Sequence, residues 1–556
     1  EGFDEEVINA GKKMVEILNK KYPDEKFTKF NFIYRKRVWN EKEEAYLGWE
    51  RKRGLLNQFN EYILGNISNP FKANTIQSVE NIPNIKYIIT LDADTDLVLN
   101  SAKELIGAMS HILNRPELNK SEDLVISGHA LLQPRVGIDL MSSTKSLYTK
   151  IYAGAGGVDV YANAISDIYQ DNFEEGIFTG KGIYDLKVFS KILNNEIPEN
   201  TVLSHDLLEG SYLRCGLATD IMLMDGYPLG YNSAKSRLHR WIRGDWQIVL
   251  WLKGKIKNKR GEIKDNPLNI LSKYKIFDNL VRSLLEVTSI LTIIYACILD
   301  YIYKIKIWPI ITVVLIAILA PTIIDVINKI IFKKEGEKKQ KTFSKMITGI
   351  KASLLRGILA LATLPDRAYM SANAICKTIY RIKVSQKHML EWVTAEEAEK
   401  MAKRDVKSYY INMMPNVVFG ILGILYLSIN ENNLLNIFFI FALTILWLVA
   451  PAIMCYISKE IIVKNKIELL VDKDKQYILE MGKRTWQFFK DYLVKENNYL
   501  PPDNYQEDRK NKVVKRTSST NIGLALLAVV SSYDLGYETL KDTLELINKM
   551  LDTICK

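Results

Sequence analysis

The 556-residue sequence predicts an α/β domain, then an all-α membrane region, then a second soluble segment that is helical. Three observations predict this order. An apolar, β-branched run ends in two carboxylates at Asp92 and Asp94, the apolar residues of the second half cluster into four long runs, and ordinary soluble sequence resumes after them. The predicted boundaries are 1–270, 271–460 and 461–556.

The chain opens on an amphipathic helical pattern that includes Val7, Met14 and Leu18. A nucleotide-binding α/β domain normally opens on a hydrophobic strand, and none precedes this helix. We therefore expect the first strand of the domain to be missing, and the chain to be part of a longer polypeptide.

The stretch from Tyr87 to Thr95 reads as a strand that delivers Asp92 and Asp94 to its end. Residues two apart on a strand share a face, and ligands of open α/β sheets gather beyond the carboxyl ends of strands. Hard oxygen ligands suit Mg²⁺ or Mn²⁺ bridging phosphates. The pair is therefore a candidate metal and diphosphate site, although a solvated Asx turn has the same pattern.

Three cations, Arg51, Lys52 and Arg53, stand ahead of a helical pattern that begins at Leu55. Positive side chains and free N–H groups at a helix start attract anions. A solvated basic turn would look similar. No nucleic-acid-binding motif accompanies the cluster, so we expect no nucleic acid partner.

Further along the chain come a glycine-rich turn and, after it, a helix that starts with an acidic residue. Thr179, Gly180 and Lys181 belong to a run with three glycines, as expected where backbone approaches a ligand closely. Asp206 opens an apolar helical segment, where its plain role is an N-cap and its functional role is a general base that takes a proton from a sugar hydroxyl.

The segment before the first long apolar run carries Arg237, Arg240 and Arg243 beside Trp241 and Trp246. Arginine suits diphosphate, and tryptophan suits the apolar face of a sugar ring. A belt of Trp and Arg at the lipid headgroups would have the same composition. Both interpretations can hold at once.

Four apolar runs approach the roughly 20 residues that cross a bilayer core. They span about 284–303, 307–331, 413–429 and 434–457. A further segment, about 349–381, is amphipathic and predicts interfacial helices.

Loop charge predicts the orientation, since Lys and Arg accumulate on the cytoplasmic side. Six lysines lie between Lys333 and Lys345, whereas the connection Asn430 to Asn433 carries none. Both soluble parts are therefore expected in the cytoplasm. Part of the net charge of +11 then belongs to basic segments that anionic lipid headgroups attract. The five cysteines show no paired spacing, so the sequence supports neither a disulfide framework nor a zinc site.

Five motifs in this order and spacing resemble the processive inverting GT-A glycosyltransferases of the cellulose-synthase kind. They are K-R-G-L-L-N from Lys52, D-A-D from Asp92, T-G-K-G from Thr179, H-D at His205-Asp206 and R-x-x-R-W from Arg237. The sequences of these motifs are most similar to those of the cyclic β-1,2-glucan synthases. The stretches from Leu390 to Thr394 and from Leu500 to Gly523 extend the resemblance through the membrane region into the start of that family's α-helical barrel.

The resemblance implies a truncated GT-A domain at 1–270, anchored by multiple passes in a bacterial inner membrane. It implies an inverting hexosyltransferase that uses UDP-glucose and a glucan acceptor with Mg²⁺ or Mn²⁺, and that depends on downstream domains for cyclisation. Asp206 would be the base, Asp94 and Asp92 would hold the metal, and Lys52, Asp92 and Arg240 would hold the nucleotide.

The implied acceptor site consists of the glycine-rich turn and the tryptophan segment, with these residues: Thr179, Gly180, Lys181, Arg237, Trp241 and Trp246. Two positions depart from the broader family pattern. Arg237 stands where that family has Gln, and His205 stands where it has an acidic residue. The acceptor role of Arg237 and the protonation of Asp206 stay open at this point.

The residues alone leave two alternative functions open. The first is a cellulose- or hyaluronan-type synthase that extrudes its polymer, which the stretch from Leu500 to Gly523 argues against. The second is a non-catalytic membrane scaffold or transporter in which D-A-D and R-x-x-R-W are incidental.

Overall fold

The computed structural model describes residues 2–24, 28–76, 84–153, 167–331, 349–392, 397, 399, 404–429, 433–461 and 470–555. The lysine-rich loop at 333–345, the connection at 430–432, and Val393 with Thr394 lie outside these residues. The chain divides into two compact units, Glu1–Ile461 and Ile462–Lys556.

A five-stranded mixed sheet forms the centre of the first unit. Its strand order is Tyr87–Thr90, Gly182–Asp185, Leu131–Ile138, Gly216–Asp225 and Thr95–Leu97. The third and fourth strands are parallel, and every other pairing is antiparallel. The inner strands are buried, since Leu131, Ile183 and Leu223 have no exposed surface, whereas the edge strand Thr95–Leu97 is largely exposed.

Helices cover this sheet and position the candidate site. The helices before the membrane region are Gly2–Lys21, Arg51–Ile63, Ser101–Ser110, Leu140–Thr144, Leu147–Tyr152, Ile168–Phe173, Leu186–Leu193, Asp206–Tyr212 and Tyr231–Gln247. The described part of this unit also contains four two-stranded sheets: Ile33–Arg35 with Phe71–Asn74, Val38–Asn40 with Ala45–Leu47, Glu117–Leu118 with Val125–Ser127, and Lys255–Lys257 with Ile263–Asp265.

Among the described residues, three helices are long and apolar enough to cross a membrane: Ile270–Tyr303, Trp308–Asn328 and Leu434–Ile457. A bent pair, Val406–Asn412 and Met414–Ile429, kinks by 75° and gives a fourth crossing if it counts as one span. Two more helices, Gly349–Ala362 and Leu364–Tyr380, lie between these in the chain.

The first of these helices starts fourteen residues before the apolar run that predicted it. Its first turns belong to the soluble core, where Ile276 and Leu280 pack with residues of the α/β domain. Hydropathy could not reveal this start, because Lys275, Asn279 and Arg282 interrupt the apolar pattern while the helix continues.

The second unit is helical, with one short hairpin. Its helices are Asp472–Tyr492, Ser519–Asp534 and Leu540–Ile554, and its hairpin pairs Asn504–Tyr505 with Val513–Val514. Trp486, Val529 and Met550 form its buried centre.

Candidate active site

The two predicted carboxylates of the D-A-D segment lie in a tight turn that follows an edge strand of the sheet. The Thr95 N–H donates to the Asp92 carbonyl at 3.1 Å and closes the turn. Asp94 is exposed at the tip and Asp92 is half-buried. The strand end predicted from the sequence therefore exists, and its two aspartates occupy different environments.

Both oxygens of the Asp92 carboxylate face lysines. Lys52 Nζ forms an ion pair with Oδ1 and also donates to the Gly180 carbonyl at 2.7 Å. Lys181 Nζ lies 3.4 Å from Oδ2. Burial opposes ionisation, but the two ammonium groups outweigh it and lower the pKa of Asp92. Asp92 is thus a fixed anion that holds Lys52 in place.

Asp206 begins the helix Asp206–Tyr212 and packs against the glycine-rich turn. Gly180 has φ +92°, and a Cβ there would lie 2.9 Å from Asp206 Oδ1. Glycine is required at this position both by the backbone conformation and by the close carboxylate. Lys52 therefore joins Asp92 to the backbone that touches Asp206.

The Arg240 guanidinium interacts electrostatically with all three aspartates. Burial, together with the neighbouring Arg237, lowers the pKa of Arg240 to about 10, while Asp206, Asp92 and Asp94 act in the opposite direction. The guanidinium also lies 5.2 Å from the centroid of the Trp392 ring. Aspartates that are far apart in the chain thus influence the same arginine.

A cavity of about 490 Å³ opens beside Asp206. Thr179, Asp206 and Trp241 line it, and so do Glu286 and Arg367, which form an ion pair at 2.5 Å. The Thr179 hydroxyl donates to Gln133 Oε1 at 3.1 Å, which orients the turn. The cavity size suits a small ligand.

The remaining predicted acceptor residues occupy other positions. Arg237 stacks on the Trp241 ring, with 4.9 Å between the guanidinium carbon and the ring centroid. The Trp246 indole N–H donates to Ser283 Oγ at 2.9 Å, and its ring packs against the buried core. Lys181 is buried against Asp225 and Asp92. The structure therefore brings Trp241 to the cavity, while Trp246 and Lys181 support the surrounding framework.

Sequence reasoning passed over Asp225, Glu286 and Arg367. Asp225 ends the strand Gly216–Asp225, pairs with Lys181 and accepts a hydrogen bond from the Thr95 hydroxyl at 2.6 Å. The same strand-end signal that revealed Asp92 precedes it in the sequence. Glu286 was visible as a charge inside an apolar run, but its partner Arg367 lies 81 residues away in the chain, and nothing local connects them.

We expect Lys181→Met to destabilise the first unit by about 3–5 kcal/mol, because it leaves the Asp225 carboxylate, 1% exposed, without its cation. Thermal unfolding in detergent measures the loss. The exposed Lys187→Met is the matched control and should be within about 0.5 kcal/mol of the parent. Equal stability of the two variants would contradict the role of this pair.

His205 lies between two carboxylates behind the site. Its Nδ1 is 2.8 Å from Glu209 Oε1 and 3.7 Å from Asp206 Oδ1, and the imidazole is buried. The ligand atoms of these three residues all lie within 4.8 Å of one another. Burial and Arg53 oppose the imidazolium, yet Glu209 and Asp206 prevail and raise the pKa of His205. The two carboxylates thus favour the protonated imidazole more than water does.

The ion pair between His205 and Glu209 predicts that the stability of the protein depends on pH. Because the pKa of His205 is raised on folding, its contribution is complete below the unfolded value of about 6.5 and is lost as the pH rises through the folded value. Glu209→Gln should therefore lower the melting temperature more at pH 6 than at pH 9. A pH-independent difference would show that Glu209 acts without His205.

Fold and site together define a membrane protein whose mixed-sheet domain gathers carboxylates, cations and a tryptophan-lined cavity. No family model matches the chain. The chain is 33% identical, over 558 residues and 99% of its length, to cyclic β-(1,2)-glucan synthase NdvB of Rhizobium meliloti (strain 1021). It spans 19% of the length of that relative. The resemblance to the cyclic β-1,2-glucan synthases is therefore confirmed.

Proposed function

We propose that this chain is the chain-elongation part of a cyclic β-1,2-glucan synthase. It is an inverting GT-A transferase that moves glucose from UDP-glucose to a growing β-1,2-glucan. It acts at the bacterial cytoplasmic membrane, with its mixed-sheet domain in the cytoplasm. The relationship to the named synthase supports the glucan class. The second unit, by the same resemblance, is the start of an α-helical barrel domain.

One observation carries the proposal: Lys52 joins Asp92 to the Gly180 backbone that touches Asp206, and Asp206 and Trp241 line the cavity there. A transferase needs anion-binding groups for the diphosphate and a base for the acceptor in one place. A scaffold needs neither. The convergence of residues from positions 52, 92, 180 and 206 therefore favours an enzyme.

The chain's own residues can perform a single displacement with inversion. Asp206 accepts the proton of the acceptor 2-hydroxyl as its oxygen bonds to the anomeric carbon and the bond to the diphosphate breaks. The developing charge on the diphosphate is stabilised by Arg240 and by Lys52, which Asp92 and the Gly180 carbonyl hold in position. Trp241 supplies a ring for the acceptor sugar inside the cavity.

The residues fit a divalent cation through Asp94 more readily than through Asp92. Asp94 is exposed and, among the described residues, its carboxylate has no hydrogen bond or ion pair, whereas lysines face both Asp92 oxygens. Mg²⁺ commonly takes one or two carboxylates together with substrate phosphates. When bound, the cation would neutralise charge on the diphosphate.

The glycosidic linkage of the product distinguishes this proposal from a cellulose- or hyaluronan-type synthase that extrudes its polymer. The chain, in detergent with UDP-[¹⁴C]glucose and Mg²⁺, should form a polymer that a β-1,2-specific glucanase degrades completely. A polymer that this glucanase leaves intact would refute the linkage, and degradation by a cellulase would favour the rival. Absence of any polymer, with UDP release retained, would limit the proposal to glucosyl transfer.

A further inference from the structure

A second cavity, of about 290 Å³, lies in the same unit. We name it the Trp49 pocket after its aromatic wall. Its lining includes Trp49, Asn57, Gln58, Glu61, Asn194 and Lys259. No function above uses any of these residues.

The pocket lies on the far side of the helix Arg51–Ile63 from the candidate active site. Lys52 points from that helix to Asp92, whereas Glu61 stands nine residues further on. Nine residues make two and a half helical turns, which places Glu61 opposite Lys52. A ligand in the Trp49 pocket would therefore not share the cleft of Asp92 and Asp206.

The walls are held in fixed orientations. Arg35 donates to the Trp49 carbonyl at 2.8 Å and to Gln58 Oε1 at 3.2 Å. The second bond fixes the orientation of the Gln58 amide, with its oxygen toward Arg35 and its NH₂ group away from Arg35. Both Glu61 oxygens accept hydrogen bonds, from Ser190 and from Asn66. A prearranged wall lowers the entropic cost of binding.

Unused hydrogen-bonding capacity faces this cavity. Asn57 is only 8% exposed, yet within the described chain its side-chain amide has no hydrogen-bond partner. The Asn57 amide atoms are not sealed from solvent, so their hydrogen-bonding capacity is open to a molecule in the cavity. Asn194, at the end of the helix Leu186–Leu193, adds a second amide to the same wall.

The Lys259 side chain covers the aromatic wall of the pocket. The Lys259 ammonium lies 4.9 Å from the centroid of the Trp49 ring, and its hairpin is tied to the Asn194 loop by the bond from the Lys259 N–H to the Asn195 carbonyl, 2.9 Å. A lysine side chain is flexible and can move aside or donate to a bound hydroxyl. The indole then offers a flat apolar face with polar groups around it.

We propose that the Trp49 pocket is an accessory saccharide site that binds one or two hexose units of a neutral glucan. Sugar hydroxyls both donate and accept, which matches amides with both capacities, and the C–H face of a pyranose suits the indole. The Glu61 carboxylate disfavours an anion. The choice of glucose rests on the proposed function, whereas the saccharide class rests on the pocket alone.

Photo-crosslinking tests the site directly. A β-1,2-linked glucose disaccharide carrying a diazirine is irradiated with the full chain in detergent, and labelled peptides are identified by mass spectrometry. We expect labelling of peptides that contain residues 49–67 or 259, and competition by the unlabelled disaccharide. An Asn57→Ala/Asn194→Ala variant should lose labelling at these peptides at least tenfold.

Lys257→Ala, an exposed position on the same hairpin, is the matched control and should retain the labelling. Asn194→Ala alone serves if the double variant does not fold, and it should reduce labelling at least threefold. Trp241→Ala should remove labels from the candidate acceptor cavity and leave those of the Trp49 pocket, so the two proposals fail separately. Labelling confined to the acceptor cavity, or uridine competing as well as the disaccharide, would overturn the accessory site.

Discussion

Replacing Asp206 by asparagine should lower the rate of UDP release from UDP-glucose by about 10²–10⁴-fold, the usual contribution of a general base. Asparagine keeps the shape that packs against Gly180 and removes only the capacity to accept a proton. Binding of UDP-glucose should change little, because Arg240 and Lys52 are untouched. The measurement is a coupled assay of UDP release with binding determined in parallel.

Asp220→Asn is the matched control, since Asp220 lies exposed on the strand Gly216–Asp225. It should retain the parent rate. His205 keeps its contact with Glu209 when Asp206 is changed, so a fall in stability should be small. Unchanged UDP release in Asp206→Asn would remove the base assignment and would favour the scaffold rival.

Local patterns predicted those parts of the site that a strand end or a helix start determines. Asp92 and Asp94 follow an apolar strand, and Asp206 begins a helix, so each has a signal within a few residues. That these elements meet required only the general rule that ligand groups gather at one edge of a sheet.

Pairing between distant side chains had no such signal. Lys52 was expected to hold diphosphate, and the structure adds its ion pair with Asp92, 40 residues away. Trp241 and Trp246 look equivalent in the sequence, yet five residues on a helix turn the side chain by about 140°. One ring therefore faces the cavity and the other faces Ser283.

The membrane region illustrates a different limit. Apolar runs of about 20 residues located the helices. Composition did not predict the 75° bend between Asn412 and Met414 or the soluble start of the helix Ile270–Tyr303. Both depend on tertiary packing. Hydropathy reports which residues avoid water, and it does not distinguish lipid from a protein core.

Asp94→Asn should lower metal-dependent turnover by about 10³-fold, equivalent to about 4 kcal/mol of transition-state stabilisation. The effect is large because, of the D-A-D pair, Asp94 has the carboxylate without a hydrogen bond or ion pair among the described residues, whereas Asp92 is engaged by Lys52 and Lys181. Chelation of the parent with EDTA should produce a comparable loss that Mg²⁺ or Mn²⁺ restores. Raising the Mg²⁺ concentration should recover part of the variant's activity.

Asp96→Asn is the control for this prediction. Thr95 directs its hydroxyl to Asp225 on the site side of the strand Thr95–Leu97, so the adjacent Asp96 points to the other face. Its substitution should leave both turnover and the Mg²⁺ titration unchanged. A parent chain whose turnover is indifferent to EDTA would exclude the metal. The diphosphate charge would then be carried by Arg240 and Lys52, and Lys52→Met would become the most damaging substitution at the leaving group.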